Sequence, residues 1–408
     1  MTRESGQSTD AATPEDSVVA EVPPPTVRLQ ISAAKKLNLA AFQNAVPALH
    51  ELVIVNETSS PISELTVQLI SEPPFVKPRV WNVESVGAGE SYHLRDLDVQ
   101  LDGALLSRLT EAESASLHFE LRSRKQLDEV LAAHESAVEL LARNQWGGIG
   151  HLPEMVAAFV QPNDQAIDRL LKGAALALQT GGKSGSIDGY THGSKRAWEL
   201  ASGIWAAVLQ RKLNYALPPA SFEHTGQKVR SPSQVLDGGL ATCLDLALLF
   251  AACLEQAHLN PLLVFTRGHA FVGVWLRDEE FSTSVVDDIT AVRKRLKLQE
   301  MLVFETTLAA QGQAVSFSQA IANANRQLSE EEEDKFELVI DVKRARMSRI
   351  KPLAQAHAVA EAMPVEVEPE GTISIEDAPD LPDEAITDTP TSELDPKDRL
   401  ARWQRKLL

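Results

Sequence analysis

At 408 residues with 44% hydrophobic content, the chain is long enough for two or three domains with real cores. Its longest apolar run, Leu246 to Leu254, is too short to cross a bilayer, and two cysteines exclude a disulfide framework and fit a reducing compartment. The net charge of −18 is unevenly spread: twelve acidic residues and no Lys or Arg lie between Pro352 and Pro396, so the remainder carries about −6 and excludes neither an acidic nor a basic partner.

Residues 1–25 are rich in Ser, Thr, Asp, Glu and Pro, and contain no apolar stretch of the kind that begins a secretory signal; they are expected to be disordered, on a cytoplasmic protein without a membrane segment. From 26 to 125 the apolar period is two, as in Leu52 and Ile54, Leu65, Val67 and Leu69, and Leu117, Phe119 and Leu121. With "NETSSP", "SEPP" and "GAGES" as turns, this predicts an immunoglobulin-like β-sandwich with a structural or positioning role. Residues 126–149 show helical spacing through Leu127, Val130, Leu131, Val138 and Leu141, which predicts a connecting helix.

Residues 150–350 form the next domain. Helices are expected over 152–160, 164–179 and 195–212, with Trp198 and Trp205 as core residues seven apart on one face. A longer helix follows in "TCLDLALLFAACLEQ", then two strands joined at Arg267 and Gly268, then a short strand in "SVVDDIT": an α+β order. "SEEEEDKF" reads as an acidic helix start and "FELVIDVKRARMSRI" as a final strand. Residues 351–395 are expected to be an acidic disordered linker. In 396–408, Asp395 serves as N-cap, Pro396 as first helical residue, and Leu400, Trp403 and Leu407 share one face. That helix ends unfinished, which predicts that the chain is a fragment of a longer protein, cut at the start of a helical domain.

The chemistry centres on Cys243. Thr242 followed by Asp245 is a capping box with Asp in place of Glu, which puts Cys243 at the first helical position. There the free backbone N–H groups and the positive end of the helix dipole favour a thiolate. Gly238 and Gly239 let a substrate backbone approach, while Leu244, Ala247, Leu248, Ala251 and Leu254 anchor the helix. Cys253 lies on the apolar run and reads as packing. A thiolate needs a base, and the base an orienting group. His269, at the start of a strand after Gly268, has the best context for the base. Asp287 and Asp288 end another apolar strand, and because successive residues face opposite ways only one of them can reach the imidazole; Asp287 is preferred.

The polar loops "GYTHGSKR" and "FEHTGQKVR" flank this constellation and offer His224 and Gln227 for the cleft, Gln227 as an oxyanion donor, with Asp245 and Asp288 as further cleft candidates. "TGGKSG" at 180–185 lacks the P-loop glycine, since position 177 is Ala, and reads as a helix-ending loop. There is no C-x-x-C pair and no H-E-x-x-H, so neither metal nor cofactor is indicated. No aromatic residues interleave with Lys195, Arg196, Lys228 and Arg230, so nucleic acid is not indicated in this segment.

Taken together, "GGLATCLDLALLFAACLEQAHLNPLLVF", "GHAFVGVWL" and "VVDDIT" resemble the transglutaminase-like superfamily over roughly residues 150–310. The resemblance implies a papain-like fold with Cys243, His269 and Asp287 as its catalytic residues, forming an acyl-thioester on a protein or peptide substrate. Peptidases, amide acyltransferases and catalytically silent binding relatives all occur in this superfamily. The Cys to His interval is compact, and Leu244 stands where an aromatic residue is frequent, so substrate preference does not carry over. The stretches "NQWGGIGHLPEMVAAFVQPND", "IDGYTHGSKRAWELAS" and "ALPPASFEHTGQKVRSP" are similar to the N-terminal part of large bacterial helicase-like proteins. This second resemblance implies downstream ATP-dependent motor domains as partners and a role in DNA repair or phage defence.

Overall fold

The computed structural model describes residues 26–124, 129–312, 314–354 and 375–382. The expectations for 1–25 and 396–408 lie outside these. The chain is a mixed α and β protein. No helix among the described residues is long and apolar enough to cross a membrane.

The first region holds β1 (Val27–Ala33), β2 (Lys36–Leu37), α1 (Leu39–Gln43), β3 (Leu49–Asn56), β4 (Ile62–Glu72), β5 (Arg79–Val86), β6 (Ser91–His93), α2 (Gly103–Arg108), β7 (Glu113–Ser123) and β8 (Val130–Leu140). They form two sheets, ordered β1-β3-β6 and β2-β8-β7-β4-β5. The period-two pattern sets the inward faces: Val67 stands opposite Leu121 and Leu69 opposite Phe119, all fully buried. Leu29, Leu52 and Ile54 from the smaller sheet share the same core.

The connecting helix expected at 126–149 is instead strand β8, so the sheet region runs on to residue 140. Val138 and Leu140 face inward together with His134 and Ser136, whereas Ala133, Glu135 and Ala137 face outward. Two polar residues on the inner face weaken the alternation, and the scattered apolar residues then imitate a helical period. Pairing with β7 along nearly its whole length decides for the strand.

The second region begins with β9 (Gln145–Trp146) and a 3-10 turn at Pro153–Phe159. Then come α3 (Gln165–Thr180), α4 (Gly193–Leu209), β10 (Asn214–Tyr215), α5 (Phe222–Thr225), β11 (Gln227–Lys228), α6 (Pro232–Gly238) and β12 (Leu240–Ala241). The later elements are α7 (Cys243–Gln256), β13 (Pro261–Thr266), β14 (His269–Trp275), β15 (Val285–Val286), α8 (Ile289–Lys297), β16 (Met301–Phe304), α9 (Phe317–Gln327), β17 (Phe336–Asp341) and α10 (Val342–Met347). "SEEEEDKF" is a 3-10 turn, and the final strand stops at Asp341, where the Asp341 carboxylate caps α10 by accepting from the Arg344 N–H.

The antiparallel sheet of this region is ordered β15-β17-β13-β14-β16. Both faces are covered, which is why β13 and β14 read as continuous apolar runs rather than alternating ones. Leu263, Phe265, Val272 and Val274 share a core with α7, while Leu262, Val264, Phe271 and Trp275 share one with Ile289 and Val292 of α8. Twelve of the fourteen residues of α7 are buried, and Trp205 stacks on Phe250 with ring centroids 5.7 Å apart beneath it. The helix start is therefore fixed in a packed interior.

Part of the expected acidic linker is docked. Ile375 packs beside Gly181, Lys183 pairs with Asp377, and the Ser318 N–H donates to Glu376.

Candidate active site

Cys243 opens α7 and has no exposed surface. Its N-cap, Thr242, accepts from the Asp245 N–H at 3.2 Å, and Asp245 Oδ2 accepts from the Thr242 N–H at 3.0 Å, the reciprocal box anticipated from the sequence spacing. Asp245 is itself buried and is held further by the Arg230 N–H at 2.8 Å and Arg230 Nη1 at 2.7 Å. A buried carboxylate with charged and backbone donors on both oxygens is a rigid support, so Asp245 acts on the helix start rather than on a substrate.

His269 opens β14, and its imidazole is near enough to Cys243 for the two to interact electrostatically. The tight turn that places it runs through Gly268 at φ +70°, a left-handed conformation natural to glycine. His269 Nε2 donates to Glu305 Oε2 at 2.7 Å, which leaves Nδ1 outside that pair. Burial pulls the His269 pKa down, but the hydrogen bonds and charges of Cys243 and Glu305 outweigh it and push it up to about 10.

The structure does not bring Asp287 to His269. Asp287 follows β15 at the far edge of the sheet, with β17 and β13 between it and β14, three strand spacings or about 14 Å away. Glu305 stands in its place. Strand β16 pairs directly with β14, Phe304 opposite Val272, and runs antiparallel to it, so the residue after Phe304 emerges beside the start of β14. Glu305 is buried, and both oxygens are engaged: Oε1 accepts from the Thr307 N–H at 2.9 Å and its hydroxyl at 2.7 Å, and Oε2 also accepts from Gln327 Nε2 at 2.5 Å. Burial raises its pKa, but His269 and Thr307 outweigh that and hold the carboxyl below the usual range. Asp288 is exposed and serves as N-cap of α8, accepting from the Thr290 N–H.

Gln227 lies one step from the nucleophile. It pairs across β9 with Trp146, at a place where two chain segments meet so closely that a Cβ on Gly226 would lie 2.0 Å from the Trp146 carbonyl oxygen. The first region holds this ribbon: Lys36 Nζ donates to the carbonyls of Gly147 and Thr225, each at 3.2 Å. Gln227 Nε2 donates to Thr242 Oγ1 at 3.1 Å, while Gln227 Oε1 is buried without a partner. The amide nitrogen carries two protons, so one N–H remains beyond the bond to Thr242. His224 is half exposed on α5 near Glu337, 3.6 Å away, and takes no part in the Cys243 network.

Three residues of the cluster escape sequence reading. Glu305 ends the apolar run "MLVF" just as Asp287 ends "SVV", so its signal was equal, and only strand order separates them. Gln327 closes a helix with no motif. Tyr215 lies in the two-residue strand β10, paired with Ala241 just before the N-cap of α7, and interacts electrostatically with Cys243.

No family model and no curated protein matches the chain. Among solved structures, the crystal structure of the E. coli chaperone DraB is similar in part, at 17% identity over 28% of this chain and 54% of that one, with a TM-score of 0.16. The match thus spans about half of that structure's length, and at this TM-score it supports no conclusion about fold or function.

Proposed function

We propose that the chain is a transglutaminase-like cysteine enzyme acting on amide bonds of a protein or peptide, with Cys243 as nucleophile, His269 as base and then acid, and Glu305 as the carboxylate that orients the imidazole. The observation that carries this reading is that Cys243 opens a capped, buried helix and interacts electrostatically with the His269 imidazole, which Glu305 holds from its other nitrogen at 2.7 Å. In this reading residues 150–350 are a papain-like domain and the two sheets before it an immunoglobulin-like positioning module. The thiolate attacks the carbonyl carbon, the carbonyl π pair moves to oxygen, and the imidazolium gives its proton to the departing amine as the C–N bond breaks. The acyl-thioester is then released to water or to a second amine, with His269 again taking the proton. An N–H of Gln227, together with the free N–H groups at the start of α7, is suited to the oxyanion. The bacterial cytoplasm and downstream motor domains belong to the same proposal and rest on sequence resemblance.

The full burial of Cys243 favours a second reading, a catalytically silent binding module that retains the fold. Iodoacetamide labelling across pH with intact-mass mapping separates the two. An ordinary thiol with a pKa near 8.5 is about 1% thiolate at pH 6.5. Labelling of Cys243 at pH 6.5 is therefore expected to be fast in the wild type and to fall roughly 100-fold in His269→Ala. Slow labelling in both proteins supports the silent module.

A further inference from the structure

The Glu305 carboxylate has partners in three residues, and one of them comes from a helix that the proposed triad does not use. Helix α9 lies against β16: the Glu305 N–H donates to the Ala320 carbonyl at 3.0 Å, and Ala320 and Ala324 are fully buried. Residues 320, 324 and 327 follow one another along one helix face, and helical side chains lean toward the N-terminus. The two alanines therefore leave Gln327 room to reach back to Glu305. Its Nε2 donates to Glu305 Oε2 at 2.5 Å, the same oxygen that accepts from His269 Nε2 at 2.7 Å. At the other end of α9, Phe317 packs edge-on against Phe304 with ring centroids 5.1 Å apart, so both ends of the helix are tied to the strand end that carries Glu305.

We infer that Gln327 is a positioning residue of the proposed site, whose carboxamide fixes the Glu305 carboxylate so that Oε2 stays directed at the His269 imidazole. The inference rests on the reading of Cys243, His269 and Glu305 as a catalytic set. The last torsion of a glutamate is soft, so a carboxylate gripped at one oxygen alone can swing. Thr307 grips Oε1 through its N–H and its hydroxyl, and Gln327 supplies the donor on Oε2 that is independent of the imidazole. With both oxygens engaged, the acceptor for the Nε2 proton remains in place while the imidazole changes charge. An imidazole whose Nε2 proton has a fixed acceptor exchanges protons at Nδ1 alone. Gln327 thus acts through Glu305 and His269 and not on the reacting atoms, as a support that locks a functional side chain in its rotamer.

Gln327 is half-buried at the end of α9, and Met and Leu match Gln in helix propensity, so Gln327→Met and Gln327→Leu remove the donor and little else. The test measures iodoacetamide labelling of Cys243 at pH 6.5 in the wild type, in both variants, in His269→Ala and in Gln327→Met combined with His269→Ala, with thermal unfolding of each as a check on folding. Loss of a hydrogen bond to a charged group is expected to slow labelling about tenfold in Gln327→Met and Gln327→Leu, and to slow it no further once His269 is absent. A residue that acts through the imidazole is silent without it, whereas one that only packs is not. Labelling in both Gln327 variants as fast as in the wild type, or an equal slowing with and without His269, overturns the inference. A wild-type protein that labels as an ordinary thiol and ignores His269→Ala overturns instead the catalytic reading beneath it.

Discussion

The two ends of helix α7 carry the chain's two cysteines, ten residues apart and both without exposed surface, yet they are chemically opposite. At the C-terminal end, Cys253 sits among apolar side chains, and burial pushes its thiol pKa up. At the N-terminal end, Cys243 has the same absence of solvent but faces an imidazole, a phenol and the helix start. Burial alone therefore says nothing about a cysteine's role. What differs is whether the sequence brings hydrogen-bonding and charged groups to the place from which it excludes water.

The polar end is the more vulnerable, and Glu305 is where it breaks. Glu305→Ala strands a buried imidazolium and leaves the Thr307 and Gln327 donors without their acceptor. Removing one partner of a buried charged pair costs about 3–5 kcal/mol, so urea unfolding is expected to show a loss of that order. The pH dependence has a definite sign. His269, with its pKa raised to about 10, contributes stability that is complete below the ordinary imidazole value and is lost as pH rises through about 10. Glu305, held low, contributes stability present above the ordinary carboxyl value and lost as pH falls through its own lower one. The stability gap between wild type and Glu305→Gln is therefore expected to be widest from about pH 4.5 to 6.5 and to close toward pH 10. A gap independent of pH would remove the ion pair from the account.

Much of this comparison was readable from residues alone. Thr242 and Asp245 announced the helix start, the glycine before His269 announced the turn, and the apolar runs of 261–265 and 270–276 announced the two strands it joins. The third member of the triad was not readable, because local sequence gives strand ends and not strand order. "VVDD" and "LVFE" present the same signal, and long-range pairing decides that β16 rather than β15 lies beside β14. Strand β8 was lost for the related reason that inward-facing His134 and Ser136 hide the period of two, and its pairing with β7 is visible only in three dimensions. Tyr215 was invisible because a two-residue strand has no period at all.

The apolar end is sharpened by Cys253→Ser. The substitution keeps the size but places a hydroxyl where the surroundings are apolar, and a buried group without a partner costs about 1–3 kcal/mol. The expected outcome is a lower unfolding midpoint with the labelling of Cys243 unchanged, since the two ends share a helix but no polar network. A change in Cys243 labelling would mean that the helix start depends on packing ten residues away.

The smallest expected effect is also the most pointed, because it separates strand order from strand pattern. Asp287 is exposed after β15, on the far side of β17 and β13 from the imidazole. Exposed substitutions away from such features usually stay within about 0.5 kcal/mol. Asp287→Asn is therefore expected to leave both the unfolding midpoint and the pH profile of Cys243 labelling where they are, while Glu305→Gln alters both. An aspartate at that edge feels His269 only through some 14 Å of folded sheet and solvent, beyond a Debye length at 0.15 M salt, where the charge is largely screened. If Asp287→Asn nonetheless slowed labelling at low pH as strongly as Glu305→Gln, β15 would have to lie next to β14, and the sheet order that makes Glu305 the partner of His269 would fall with it.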